Sequence, residues 1–175
     1  METVCMIIRS YKNITPKIDG SAFIAENAVV IGDVEIGAGT GIWYGCVLRG
    51  DVNDIKIGKR TNIQDGTVIH TSLGVQGTYI GDDVTVGHMA LLHACTIGNK
   101  AFIGMQSLIM DEVVVEDEAM IAAGSMVTPL KRIPKHQLWG GRPAKYMRDM
   151  TTEEIEYLQT SADRYAALAQ EYKSS

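Results

Sequence analysis

The sequence predicts an all-β solenoid, a parallel β-helix of six-residue repeats finished by one α-helix. Ile/Val-Gly pairs recur at Ile36-Gly37, Ile57-Gly58, Ile80-Gly81, Val86-Gly87, Ile97-Gly98 and Ile103-Gly104. Aliphatic residues fall on a six-residue grid: Ile18, Ile24, Val30; Ile36, Ile42, Leu48; Ile57, Ile63, Ile69; Ile80, Val86, Leu92; Ile97, Ile103, Ile109; Val115, Ile121, Val127. A helix needs apolar spacing of three and four, and an ordinary strand alternates with period two, so neither accounts for six. Beyond Thr151 the apolar spacing does change to three and four.

Residues 1–128 are read as a lead-in and the β-helix, 129–150 as a crossing segment and 151–175 as a helix packed on the column, one domain in all. Three hexads make a triangular coil whose aliphatic residues point inward, and stacked coils pair as parallel strands about 4.8 Å apart. The Gly after each aliphatic residue, with Asn27, Asp33, Asn99 and Asp117 near the corners, suits positive φ and local side-chain hydrogen bonding. The general preference for right-handed parallel crossovers predicts a right-handed coil. After Val127 the grid is expected to end, at Pro129, Pro134, Gly140, Gly141 and Pro143. Thr151 with Glu154 then forms a capping box, and Ile155, Leu158, Ala162, Tyr165, Leu168 and Tyr172 make one apolar stripe.

Composition removes several function classes. Sixteen basic against 21 acidic residues leave a net charge of −5 over 175 residues, with no Lys/Arg cluster, which argues against nucleic-acid binding. No run is long enough to span a membrane, and Val4 to Ile8 lacks the cationic start of a signal peptide. Cys5, Cys46 and Cys95 are an odd number at wide spacings, with neither a disulfide framework nor a CxxC motif. A protein of the reducing cytoplasm is expected.

The grid breaks where histidines gather. The step from Leu48 to Ile57 is nine, that from Ile69 to Ile80 is eleven, and Leu91 to Cys95 form a five-residue unit. Arg49, His70 and His93 each follow the third aliphatic position of consecutive coils, so they stack on one edge. Two imidazoles one strand spacing apart can tilt onto one metal. His88 follows the second aliphatic position by two, above Asp65, and about 16 Å of extended chain separates it from His93. A threefold packing of prisms brings the His88 edge of one subunit to the His70 and His93 edge of the next. His136, in the crossing segment, is read as structural, and Cys46 and Cys95 as small apolar residues near corners.

The stretches VLRGDVNDIKIGKRTNIQDGTVIH and YIGDDVTVGHMALLHACTIG resemble the γ-class carbonic anhydrases and their bacterial γ-carbonic-anhydrase-like relatives. The R-G-D, N-x-Q-D-x-x-x-x-H and G-H-x-x-x-x-H runs carry a resemblance that reaches from about residue 10 to the closing helix. It implies a left-handed β-helix homotrimer with a zinc-type metal between subunits, held by His70 and His93 of one chain and His88 of the next. Arg49, Asp51 and Asp65 match the family's intersubunit charged cluster, and Gln64 matches the residue that orients the metal-bound water. Asn62 matches a neighbour of the pocket, and Tyr165 resembles a helical tyrosine near the metal.

The implied activity is reversible hydration of carbon dioxide to bicarbonate. Three neutral histidines and an open fourth position lower the pKa of bound water to about 7. Three imidazoles suit Zn²⁺, Fe²⁺ and Co²⁺ alike. The chain departs from the family at the proton exit: Val52 follows Asp51, and Thr71 to Tyr79 contain no acid. Slow turnover is expected. Hexapeptide acyltransferases share the solenoid and the Gly141-Arg142-Pro143-Ala144-Lys145 closing segment, but need one basic histidine and an acyl-CoA cleft. A non-catalytic metal-binding trimeric scaffold also accommodates the missing acids.

Overall fold

The computed structural model describes residues 7–174. Its short strands wind into a three-sided column, each face collecting one aliphatic position of every coil. The first face stacks Lys17–Ile18, the later part of Val29–Ile36 and of Val47–Ile57, then Thr78–Ile80, Thr96–Ile97, Val114–Val115 and Arg132–Ile133. The second stacks Phe23–Ile24, Gly41–Ile42, Asn62–Ile63, Thr85–Val86, Phe102–Ile103, Met120–Ile121 and Gln137–Gly141. Ile7–Arg9 opens the third face, followed by the early parts of the two long strands, Val68–His70, Leu91–His93, Leu108–Ile109 and Met126–Val127. Every pairing within these faces is parallel and in the register of the grid.

The grid residues form the core. From Val30 to Val127 all of them are at most 4% exposed, while Ile18 and Ile24, at the open end of the column, are partly buried. Burying each such side chain contributes about 1.5–3 kcal/mol. The register does not stop at Val127. Ile133 is fully buried beside Val115, and Trp139 pairs with Ile121, adding most of a seventh turn. Pro134 holds the address whose N–H bonds to the next coil in earlier turns, as Gly98 N–H does to the Val115 carbonyl, but Arg132–Ile133 ends the first face, so the proline costs no ladder bond. Gln137–Gly141 then pairs antiparallel with Ala144–Asp149.

The corners differ from expectation in one respect. Positive φ falls three residues after the aliphatic position, as at Arg60, Asp83, Lys100, Gln106 and Glu118, and not at the Gly that follows it. Those glycines serve close stacking instead. A Cβ on Gly104 would lie 2.4 Å from the Ala123 nitrogen of the next coil. Asn27, Asn99 and Asp117 bond between coils, accepting from the N–H groups of Gly45, Asp82 and Asn99 at 2.7–2.9 Å.

Helix α1 (Thr152–Ser174) runs back along the second face from the last coil to the first. Thr151 and Glu154 cap it reciprocally, Thr151 N–H to Glu154 Oε2 at 2.9 Å and Glu154 N–H to Thr151 Oγ1 at 3.3 Å. Leu158, Ser161, Ala162 and Ala169 are buried. Gly41 leaves room for the helix, since a Cβ there would meet Ala169 Cβ at 3.3 Å. Phe23, Trp43, Tyr165 and Tyr172 stack where the C-terminal half of α1 meets the first coils.

Candidate metal centre

Alternation along Val68–His70 and Leu91–His93 turns Ile69 and Leu92 inward and leaves both histidines at the corner, in direct register. His70 Nδ1 and His93 Nε2 stand 3.2 Å apart. Each ring's other nitrogen is engaged: His70 Nε2 with Asp51 Oδ1 at 3.0 Å, and His93 Nδ1 with Asp111 Oδ1 at 2.7 Å. Carboxylates accept, so each ring spends its N–H there and both facing nitrogens present lone pairs to one point. A cation between them relieves that repulsion. A tetrahedral metal with nitrogens at 2.0–2.1 Å sets two of them about 3.3 Å apart, which the observed gap fits.

Arg49 Nη1 donates to Asp51 Oδ2 at 2.5 Å. Burial alone raises the Asp51 carboxyl, but hydrogen bonds from His70 and Arg49 outweigh it and hold the group below its usual range. Asp65 is not part of this cluster within one subunit. It lies across the third face, where its Oδ2 meets His88 Nδ1 at 2.8 Å and leaves His88 Nε2 as the available ligand atom. Among the described residues, no three His, Cys, Asp or Glu side chains of one chain come together to hold a metal.

Gln64 stands at the His88 edge and is nearly buried. Its Nε2 donates to Asn62 Oδ1 at 3.0 Å, Asn62 Nδ2 donates to Thr85 Oγ1 at 3.0 Å, and Thr85 Oγ1 lies 3.0 Å from Ser161 Oγ on α1. This chain fixes the amide, so Gln64 Oε1 remains as an acceptor. Gln64, His88 and Tyr165 line a cavity of about 450 Å³ between the second face and α1. Tyr165 packs edge-on against Trp43, and burial raises its hydroxyl pKa.

The remaining candidates lie elsewhere. His136 bonds Glu118 at 2.8 Å in the last coil. Cys46 and Cys95 are fully buried, and desolvation pushes each thiol up to about 12. Cys5 lies outside the described residues. Asp111, Thr85 and Ser161 were not singled out by sequence reasoning. Asp111 had a legible signal: each of the four histidines meets a carboxylate one coil away, 18 to 23 residues along the chain.

No protein-family model matches the chain. Over 165 residues it is 53% identical to "Gamma carbonic anhydrase 2, mitochondrial" of Arabidopsis thaliana, covering 91% of this chain and 59% of that protein. The chain thus spans under two thirds of that relative. It is 43% identical over 168 residues to a carbonic anhydrase of Geobacillus kaustophilus, covering 96% of this chain and 92% of that one. A solved hexapeptide transferase family protein from Anaplasma phagocytophilum superposes with a TM-score of 0.92 at 53% identity, covering 95% of this chain and 98% of that chain. The column's hand is left, against the crossover preference, because that preference comes from helices packing back onto a sheet, whereas corners with one left-handed residue connect these strands. Identity at this level along nearly whole chains, with the same column, places the chain in the γ-carbonic-anhydrase-like family of left-handed hexapeptide-repeat β-helix proteins.

Proposed function

We propose that the protein is a homotrimeric, zinc-dependent carbonic anhydrase of the cytoplasm, hydrating carbon dioxide slowly at sites shared between subunits. The observation that carries the reading is the pair of facing histidine nitrogens, 3.2 Å apart, each imidazole held from behind by a carboxylate. The surface supports the trimer. Outward residues of the first face include Lys17, Glu35, Lys56 and Arg132, and α1 covers the second. The third face presents Val29, Val47, Val68, Leu91, Leu108 and Met126 with no cover among the described residues, Val68 and Leu91 being 37% and 39% exposed. His88 flanks one edge of that apolar face and His70 with His93 the other. Packing three such faces about an axis buries the stripe and brings unlike edges together.

His70 and His93, with His88 of the partner subunit, would hold a divalent cation, whose Lewis acidity would make hydroxide available near neutral pH for attack on carbon dioxide. Asp51 and Asp111 fix the tautomer and tilt of His70 and His93. Gln64 Oε1, its amide nitrogen tied to Asn62, accepts from the reacting water and orients it. Arg49 is anchored to Asp51 by one nitrogen and offers further N–H groups to bicarbonate or to Asp65 of the partner subunit. Tyr165 closes the pocket from the helix side. With no acid at residue 52 or from 71 to 79, protons leave through diffusible buffer.

Stopped-flow hydration by the zinc-loaded trimer is expected to rise with imidazole buffer at constant pH and to vanish in His93→Ala. A fully loaded trimer inactive in every buffer would favour the metal-binding scaffold.

A further inference from the structure

The turn following His70 is closed by hydrogen bonds at its base and yet holds two aliphatic side chains in water. Ser72 N–H donates to the Gln76 carbonyl at 3.1 Å, and Val75 N–H to the Ser72 carbonyl at 3.4 Å. Asn53 Nδ2 donates to the Ser72 carbonyl at 3.3 Å, and Gln76 Nε2 to Thr96 Oγ1 at 3.1 Å. Pinned at its base, the turn exposes Leu73 by 76% and Val75 by 55%. The turn is thus tied to Asn53 of the preceding coil and, through Gln76, to Thr96 of the following one.

The other edge of the third face carries a complementary feature. The cavity of about 450 Å³ beside His88 continues along Phe102, Met120 and Leu138 of successive coils, with Tyr157 on its α1 wall. Met105, 53% exposed, lines both this cavity and the neighbouring one that reaches Met89. A three-atom substrate fills little of such a space, and an apolar void is stabilised by apolar side chains entering it. It extends from His88 toward the C-terminal coils.

We propose that Leu73 and Val75 of each subunit seat in this cavity of the next, so the chain giving His70 and His93 also closes the apolar pocket beside His88 of the partner subunit. The inference rests on the shared-metal reading above. Once His70 and His88 of the partner subunit hold one ion, Leu73 is within about 10 Å of extended chain from it, and His88 itself lines the cavity. The turn therefore acts as a clamp between subunits and as a cover for the site. Methionines such as Met105 and Met89 give the receiving surface adaptable shape.

The test is cross-linking in the intact chain. A Leu73→Cys/Met105→Cys variant on a Cys5→Ser background, treated with a short bis-maleimide, is expected to give covalent dimers and trimers on denaturing gels. Each single variant alone should stay monomeric there, while their mixture gives covalent dimers. In parallel, Leu73→Asp should raise the concentration at which the trimer dissociates by about tenfold, with unchanged far-UV circular dichroism. A wild-type trimer that binds metal, without cross-links and with unaltered dissociation in Leu73→Asp, overturns the clamp and leaves the shared metal standing. A metal-loaded wild-type monomer overturns both.

Discussion

Asp111 determines which nitrogen of His93 is free. By accepting from Nδ1 at 2.7 Å it commits the ring's N–H and turns the Nε2 lone pair toward His70. Asn in its place can offer an N–H to Nδ1 and so favours the other tautomer. Asp111→Asn is therefore expected to weaken metal affinity by about 10- to 100-fold, with little change in thermal stability. Competitive chelator titration measures it, and an affinity equal to wild type would refute the orienting role. The histidines themselves were legible because the grid assigns every side chain an address. For Asp111 the sequence carried only the coil spacing to His93, because the bond itself depends on how each side chain bends at the corner.

At the scale of elements, the same ladder that stacks the strands sets hard local limits. Gly104 and Gly58 have no space for a Cβ because the next coil's backbone lies against them, a fact of inter-coil distance that sequence propensity does not carry. The positive-φ prediction for such glycines failed for that reason. The helix start was legible throughout. Glu154 accepts from Arg148 and from the Thr151 N–H, and these bonds depress its carboxyl from the ordinary 4.5 to about 2. A lowered folded pKa stabilises fully above the unfolded value and is lost as pH falls through the folded one. Glu154→Gln should therefore lower Tm by a few degrees at pH 7, the gap to wild type closing between about pH 4.5 and 2. Melting curves across that range check it, and a gap constant with pH would sink the assignment.

At the scale of the molecule, the three faces are unequal, and the proposed trimer draws on that inequality. Charge marks the first face, α1 covers the second, and the third keeps its Val/Leu/Met stripe, with His88 on one edge and His70 and His93 on the other. Val68→Glu with Leu91→Glu leaves His70, His88 and His93 untouched but sets charges one strand apart in the middle of that stripe. If that face forms the proposed trimer, the pair yields monomers of intact β-structure that lose their metal, seen by sedimentation and elemental analysis. A metal-loaded trimer surviving both changes would mean the subunits meet through another face.

The six-residue period, the helix with its cap, and the vertical pairing of His70 with His93 were determined by sequence alone, since each follows from counting along a chain whose repeat length is the geometry. The tertiary structure decided the rest: the added turn through Ile133 and Trp139, the carboxylate behind each imidazole, the chain from Gln64 to Ser161, and the face left bare. These depend on contacts between residues far apart in sequence, across corners and between column and helix. Periodicity gives a side chain its level and its face, but hydrogen-bond direction and cover arise only when neighbouring coils and α1 are in place.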